Sequence, residues 1–211
     1  MPYPRTREDR GGSCREVYPI EADTLLLLDT ALREARAGDR VLEVGTGSGY
    51  IASALTAVDR CVIATEINPY AARMAKARGL QVIRTDLVAG VRGQFDLVLF
   101  NPPYLPTADV IRADDWLEIA LDGGPTGREV IGRFASVVGE LLSPVGRVLL
   151  LVSSLTGERE VQQLFEGRGF AVQVVERMEY EGEELMVMKI MQKNNQDHPR
   201  CEGELLSPNF K

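Results

Sequence analysis

Gln94-Phe95-Asp96-Leu97-Val98-Leu99-Phe100-Asn101-Pro102-Pro103-Tyr104 is the stretch on which the rest of the sequence turns. Phe95 to Phe100 is a short apolar run, the pattern of a strand covered on both faces. The run stops at Asn101, and the two prolines after it cannot donate backbone hydrogen bonds or continue a central strand. Each proline also drives the residue before it toward an extended conformation. The predicted product is a stiff loop at the carboxyl end of a buried strand, carrying one amide side chain and one aromatic ring. Open parallel sheets bind their ligands at that rim. A Pro-terminated strand with a solvent-facing Asn satisfies the same residues, so the flanking sequence has to decide.

Outward from this strand the chain alternates strands and helices. Upstream, a helix from about Glu21 to Ala37 places Leu25, Leu28, Leu32 and Ala35 at helical spacing, with Gly38 to end it. Arg40–Val44 then reads as a strand and Gly45-Thr46-Gly47-Ser48-Gly49 as a turn into a helix through about Ala57. Strands follow at Cys61–Glu66 and Leu80–Arg84. Between them Asn68-Pro69 opens a helix with a capping residue and a proline suited to its first position. Downstream, Thr126 and Glu129 have capping-box spacing before a helix through about Leu142, with Val130, Ile131, Phe134, Val137, Val138, Leu141 and Leu142 as its apolar stripe. A strand at Gly146–Ser153, a polar helix at Gly157–Gly167 and two strands at about Phe170–Met178 and Glu184–Met191 complete the pattern, the last pair joined by a Gly182 turn. Repeated βα units with right-handed crossovers predict an α/β fold: a doubly wound, mostly parallel seven-stranded sheet with a C-terminal antiparallel hairpin.

At 211 residues, with 45% hydrophobic and 26% charged residues, the chain is sized for one soluble domain, expected over 16–191. Residues 1–15 read as a flexible arm and 192–211 as a disordered tail. No apolar run is long enough to cross a bilayer and no signal peptide opens the chain, so a cytoplasmic protein is the default. A formal net charge of −7 argues against a tight, non-specific nucleic-acid binder. Cys14, Cys61 and Cys201 are too far apart for a metal-ligand pair, and Cys61 reads as a small core residue. The single histidine, His198, lies in the polar tail, which leaves no His dyad and no metal site.

The glycine turn has acidic company. Its glycines let a ligand approach the backbone, and the amides of the following helix start favour an anionic group. Glu66 ends the second strand roughly 20 residues beyond Gly45, where an acid can accept from both ribose hydroxyls. Asp86 ends the third strand on the same rim. Glu43 sits inside an apolar strand, a costly place for an acid unless it is hydrogen-bonded or faces a cation. The dinucleotide fingerprint Gly-x-Gly-x-x-Gly or Ala is not met, because Tyr50 holds its last position. S-adenosylmethionine, with a ribose, an adenine, a sulfonium cation and no phosphate, fits the acids better.

Glu43-Val44-Gly45-Thr46-Gly47-Ser48-Gly49, Glu66-Ile67-Asn68-Pro69, Thr85-Asp86-Leu87 and Asn101-Pro102-Pro103-Tyr104 resemble the successive motifs of class I methyltransferases. With Tyr18-Pro19-Ile20-Glu21-Ala22-Asp23-Thr24 and Gly123-Gly124-Pro125-Thr126-Gly127-Arg128-Glu129 on either side, the chain more narrowly resembles the HemK family over about Val17 to Ile190. That family methylates the glutamine amide in the Gly-Gly-Gln loop of translation release factors. Too few residues precede Glu43 for the N-terminal helical domain of bacterial members, so the resemblance is to the compact archaeal and eukaryotic branch. It implies a small zinc-binding activator subunit and class I release factors as substrates. It also assigns Glu66 to the ribose, Asp86 to the adenine amino group and Glu43 to the methionine amino end. Gly45, Gly47 and Gly49 line the cofactor in this scheme, with Thr24, Leu87 and Asn101 among its contacts.

A glutamine nitrogen is a poor nucleophile because its lone pair is delocalised into the carbonyl. Two acceptors on its two N–H bonds would orient it and favour a pyramidal transition state. The Asn101 side-chain oxygen and the Pro102 carbonyl are the candidates, with Tyr104 packed on the flat amide and Pro103 stiffening the loop. An adenine amino group suits the same geometry, so an N6-adenine methyltransferase of RNA or DNA stays open, as does lysine methylation of proteins. A non-catalytic cofactor-binding subunit would not need this loop. If the strand order is that of class I methyltransferases, as the resemblance implies, Leu80 to Arg84 is an edge strand, where Leu80, Val82 and Ile83 would leave an apolar border for an activator strand to cover. Trp116, with Asp114, Asp115 and Glu118, either contacts substrate or anchors the loop after the catalytic motif.

Overall fold

The Phe95–Phe100 run forms β4, near the middle of a seven-stranded sheet with spatial order β3-β2-β1-β4-β5-β7-β6. Its partners are β1 (Arg40–Val44), β2 (Cys61–Glu66), β3 (Gln81–Arg84), β5 (Leu142–Ser153), β6 (Phe170–Tyr180) and β7 (Glu183–Gln192). The computed structural model describes residues 16–58, 60–107 and 115–193. The arm expected over 1–15, Asp114, and the tail from 194 on, with Cys14, His198 and Cys201, lie outside the described residues. The five strands from β3 to β5 pair in parallel, and β7 is antiparallel to both β5 and β6. This is the doubly wound, mostly parallel sheet with a C-terminal hairpin that the sequence predicts. The hairpin turns through Glu181 and Gly182, both at positive φ (49° and 88°), a backbone that matches the twist of the flanking strands.

Alternation along the central strands covers both faces. Leu42, Val44, Val98, Phe100, Val148 and Leu150 pack on one side against α5 (Glu129–Ala135) and α6 (Glu158–Glu166) through Ile131, Phe134, Val161 and Phe165. Val41, Leu97, Leu99, Leu149 and Leu151 face α1 (Ala22–Glu34) and α2 (Tyr50–Ala57) on the other. The third cover on the β2–β3 side is α3 (Pro69–Ala77), started by Asn68, whose side chain accepts from the amides of Tyr70 and Ala71. The chain runs outward from β1 to β3, then returns to lay β4 on the other side of β1. The order therefore reverses between β1 and β4, and the glycine turn and the Asn-Pro-Pro-Tyr loop leave the carboxyl ends of those two strands.

Several expectations are corrected. In α1 the buried face is Leu26, Leu27 and Ala31, while Leu25 and Leu32 are 49% and 43% exposed. A run of four leucines leaves the helical phase open, and packing on the sheet selects the other phase. The helix expected through Leu142 stops at Ala135, passes a 3₁₀ turn at Val138–Glu140 and enters β5 at Leu142. The Thr126 hydroxyl does bond Glu129, 3.0 Å away, and Glu129 accepts from the Thr126 amide, but Arg128 occupies the cap position. Cys61 is exposed, not a core residue. β7 runs from Glu183 through Gln192, one residue longer at each end than the expected strand. β3 is an edge strand, as expected, but it starts at Gln81. Leu80 and Val82 pack against Ala64, Ala72 and Ala75, which leaves Ile83 as its exposed apolar residue.

At the amino ends of the strands lies Arg147, 1% exposed. Its guanidinium donates to Asp39 at 2.7 Å, to the Asp96 carbonyl at 2.9 Å and to the Glu34 carbonyl. Burial of a cation is tolerated because an anion and backbone acceptors share its cavity. No helix among the described residues is long and apolar enough to cross a membrane.

Candidate active site

One cavity of about 270 Å³ opens at the switch point between β1 and β4. The structure brings Thr24, Glu43, Gly45, Gly47, Glu66, Asp86, Leu87, Asn101, Pro102, Pro103 and Tyr104 together around it. Gly49 faces elsewhere. A Cβ there would lie 2.6 Å from Leu80 Cδ1 and 2.9 Å from Ala75 Cβ, so this glycine lets α2 start close against α3.

The acids brace the cavity as well as lining it. One Glu66 oxygen accepts from the Gly47 amide at 2.7 Å and the other from the Asn68 amide at 2.8 Å, tying the glycine turn to the start of α3. Burial still raises its pKa, against those bonds. Glu43 accepts through Oε2 from the Thr46 hydroxyl at 2.6 Å and the Ala52 amide at 2.9 Å. Desolvation dominates there too and pushes the Glu43 carboxyl up to about 8, with Glu66 adding to the rise. Asp86 pairs with Arg133 of α5, the one basic side chain among the described lining residues. Leu87 beside it has φ 48°, a strained left-handed backbone for a branched side chain, held in the cavity wall.

The Asn101 amide is held on one side only. Its Nδ2 donates to Asp23 Oδ2 at 3.0 Å, while its Oδ1 is shut off from solvent with no donor among the described residues. Asp23, in the first turn of α1 and 2% exposed, also accepts at Oδ2 from the hydroxyls of Tyr18 (3.0 Å) and Tyr104 (3.4 Å). Its Oδ1 accepts from the Thr24 amide (2.5 Å) and hydroxyl (3.2 Å). Burial first, then the Asp23 charge, raises the Tyr104 and Tyr18 hydroxyls above their usual range, so both stay protonated donors. Neither Asp23 nor Tyr18 was singled out from sequence, although both lie in the quoted leading motif. The partners of Asp23 on the Asn-Pro-Pro-Tyr loop, Asn101 and Tyr104, are 78 and 81 positions away.

The Asn-Pro-Pro-Tyr loop is clamped from behind. Leu105 bridges to Asp122, the Gly123 amide donates to the Leu105 carbonyl at 3.0 Å, and a Cβ on Gly127 would stand 2.4 Å from the Tyr104 carbonyl oxygen. Trp116 opens a short helix, α4 (Trp116–Leu121), capped by Asp115. It is buried and lines the cavity, closer to an anchor than to a surface contact.

The donor set fits S-adenosylmethionine. Acids outnumber the single paired arginine, which suits a sulfonium and a ribose and offers little to a pyrophosphate. Comparison with known proteins agrees. Residues 19–113 match the methyltransferase small domain model. A Methanocaldococcus jannaschii protein named as a protein N5-glutamine methyltransferase is 39% identical over 180 residues, 82% of this chain and 90% of that protein. Human methyltransferase HEMK2 is 34% identical over 174 residues, 75% of this chain and 81% of that protein. Among solved structures, the Encephalitozoon cuniculi Mtq2–Trm112 complex, responsible for methylation of the eRF1 termination factor, superposes with a TM-score of 0.70 and 32% identity over 84% of this chain and 99% of that one. With 39% identity to the archaeal protein across most of both chains, and the fold of the Mtq2 structure, the chain belongs to the HemK family of S-adenosylmethionine-dependent glutamine methyltransferases, on the branch that holds its archaeal and eukaryotic members.

Proposed function

We propose that this methyltransferase acts on the side-chain amide nitrogen of the glutamine in the Gly-Gly-Gln motif of a class I release factor. The observation that carries the reading is the Asn101 side-chain amide beside the cavity, whose buried Oδ1 has no donor among the described residues. A buried acceptor without a donor costs about 1–3 kcal/mol, which an incoming N–H recovers. S-adenosylmethionine supplies the electrophilic methyl group when bound. Asn101 Oδ1 and the Pro102 carbonyl take the two N–H bonds of the acceptor nitrogen and turn its lone pair toward that methyl. Tyr104 packs on the planar amide, and Pro102 and Pro103 keep the acceptors from relaxing. Glu66 holds the ribose, Asp86 and Leu87 the adenine edge, Glu43 the methionine end, and Gly45, Gly47 and Thr24 the walls; Gly49 contributes through packing alone.

A chain of net charge −7 repels a phosphate backbone and accepts a basic peptide, which favours protein over RNA or DNA. The Mtq2–Trm112 complex is responsible for methylating a termination factor, and in it the methyltransferase has a second subunit as companion. We extend both to this chain: a small zinc-binding activator adds a strand along β3 at Ile83, and the complex works in the cytoplasm. The test is transfer of labelled methyl to a release factor and to one whose Gly-Gly-Gln glutamine is changed, with and without the activator. Label on the intact motif alone is expected; label on RNA or DNA instead would overturn the reading in favour of an adenine acceptor.

A further inference from the structure

We infer that Asp23 decides which end of the Asn101 amide faces the acceptor. This positioning role rests on the proposed glutamine transfer. An amide side chain has two ends of nearly equal size, one donating and one accepting. The end of β4 fixes the Asn101 backbone, but shape alone does not choose between the two orientations. Asp23 does, because a carboxylate offers only acceptors: with Oδ2 at 3.0 Å, Nδ2 must turn toward it and Oδ1 must turn away. Reversed, Asn101 would set two N–H bonds against the N–H of the incoming nitrogen and leave Asp23 facing an oxygen.

Asp23 is itself over-determined. Thr24 holds Oδ1 through two bonds, and Tyr18 and Tyr104 hold Oδ2 from opposite ends of the chain segment involved. An acid in the first turn of a helix ordinarily stabilises the helix dipole from an exposed position. Here it is 2% exposed, and its Oδ2 serves the Asn101 loop. Asp23 is thus a positioning residue: it acts on the acceptor through Asn101.

The experiment is a reciprocal exchange. Asp23→Asn and Asn101→Asp are each expected to lower kcat about 10²-fold, the scale of losing one oriented catalytic hydrogen bond. Asp23→Asn puts a second amide beside the first, and Asn101→Asp sets two carboxylates together. The double variant restores one donor facing one carboxylate with an oxygen toward the acceptor, and is expected to recover at least tenfold over either single. Cofactor affinity is measured for each variant, so that kcat is compared at saturating cofactor. A purely structural role predicts additive losses, and a double variant no better than the singles overturns the inference. A second readout needs no acceptor. The Asn101 side-chain NH₂ signal, assigned by its absence in Asn101→Ala, should exchange slowly with solvent in the wild-type protein and shift in Asp23→Ala. Rapid exchange, or an unmoved signal, overturns the held amide. If the wild-type enzyme labels no glutamine while the NMR result holds, it is the proposed substrate that has failed, and the orientation stands.

Discussion

The Asn101 oxygen and the Glu43 carboxyl carry the sharpest expectations at the scale of single residues. Asn101→Ala removes an acceptor that no neighbour replaces, so turnover should fall at least about 10²-fold while cofactor binding, followed by calorimetry, persists. Glu43 is protonated in the free protein below about 8. A cationic ligand favours its ionised form, so binding at lower pH must release that proton. Affinity should therefore tighten as pH rises from about 6 to 8, by at most tenfold per unit, and flatten above. Calorimetry in buffers of different ionisation enthalpy reads the proton directly, and Glu43→Gln should abolish the dependence. The sign for folding is opposite. Between the ordinary carboxyl range and about 8 the native state holds a proton that the unfolded chain has lost, so this group's contribution to stability falls as pH rises. The sequence shows Glu43 as an acid out of place among Val41, Leu42 and Val44, and that anomaly points to the site. It does not show Asp23, which follows an ordinary helix-start pattern and meets Asn101 only through the fold.

Strand and loop edges carry the next predictions. Gly127 has φ 73° and no room for a Cβ beside the Tyr104 carbonyl, so Gly127→Ala should cost about 1–3 kcal/mol in denaturant unfolding and lower kcat with it, through displacement of the catalytic loop. On β3, Ile83 is 42% exposed at an unpaired edge. Ile83→Lys should leave the free enzyme folded but weaken co-purification of the activator; an unchanged complex would place the partner elsewhere. Elements were legible where a turn signal bounded them: β2 and β4 start and stop where their patterns do, and Asn68-Pro69 opens α3 as read. The boundary between α5 and β5 was not. Apolar residues run through Val137, Val138, Leu141 and Leu142 without a break, and periodicity alone does not say where a helix yields to a strand. Trp116–Leu121 was missed as a helix because six residues give too little period to read.

Across the whole molecule, chemistry and stability sit at opposite ends of the sheet. Arg147→Met leaves Asp39 buried without its cation and should cost about 3–5 kcal/mol, measured by denaturant unfolding, while kcat per folded molecule stays as it was. The strand sequence was legible as a whole because parallel crossovers admit few topologies, whereas the ion cluster joins Asp39 to a residue 108 positions on and leaves no local trace. The same long reach sets a timetable for the chain as it is made. Leu26, Leu27 and Ala31 of α1 seat on Leu149, Leu151, Leu185 and Val187, and Glu34 takes Lys189 from 155 residues downstream. At roughly 5–20 residues per second, the helix that holds Asp23 waits on the order of ten seconds or more, its leucines bare, for the strand it rests on. Since β7 slots between β5 and β6, a ribosome stalled just before that strand presents an apolar, catalytically mute nascent chain. The fold is therefore finished only once β7 has been made and seated, and until then the chain is a natural client for chaperones.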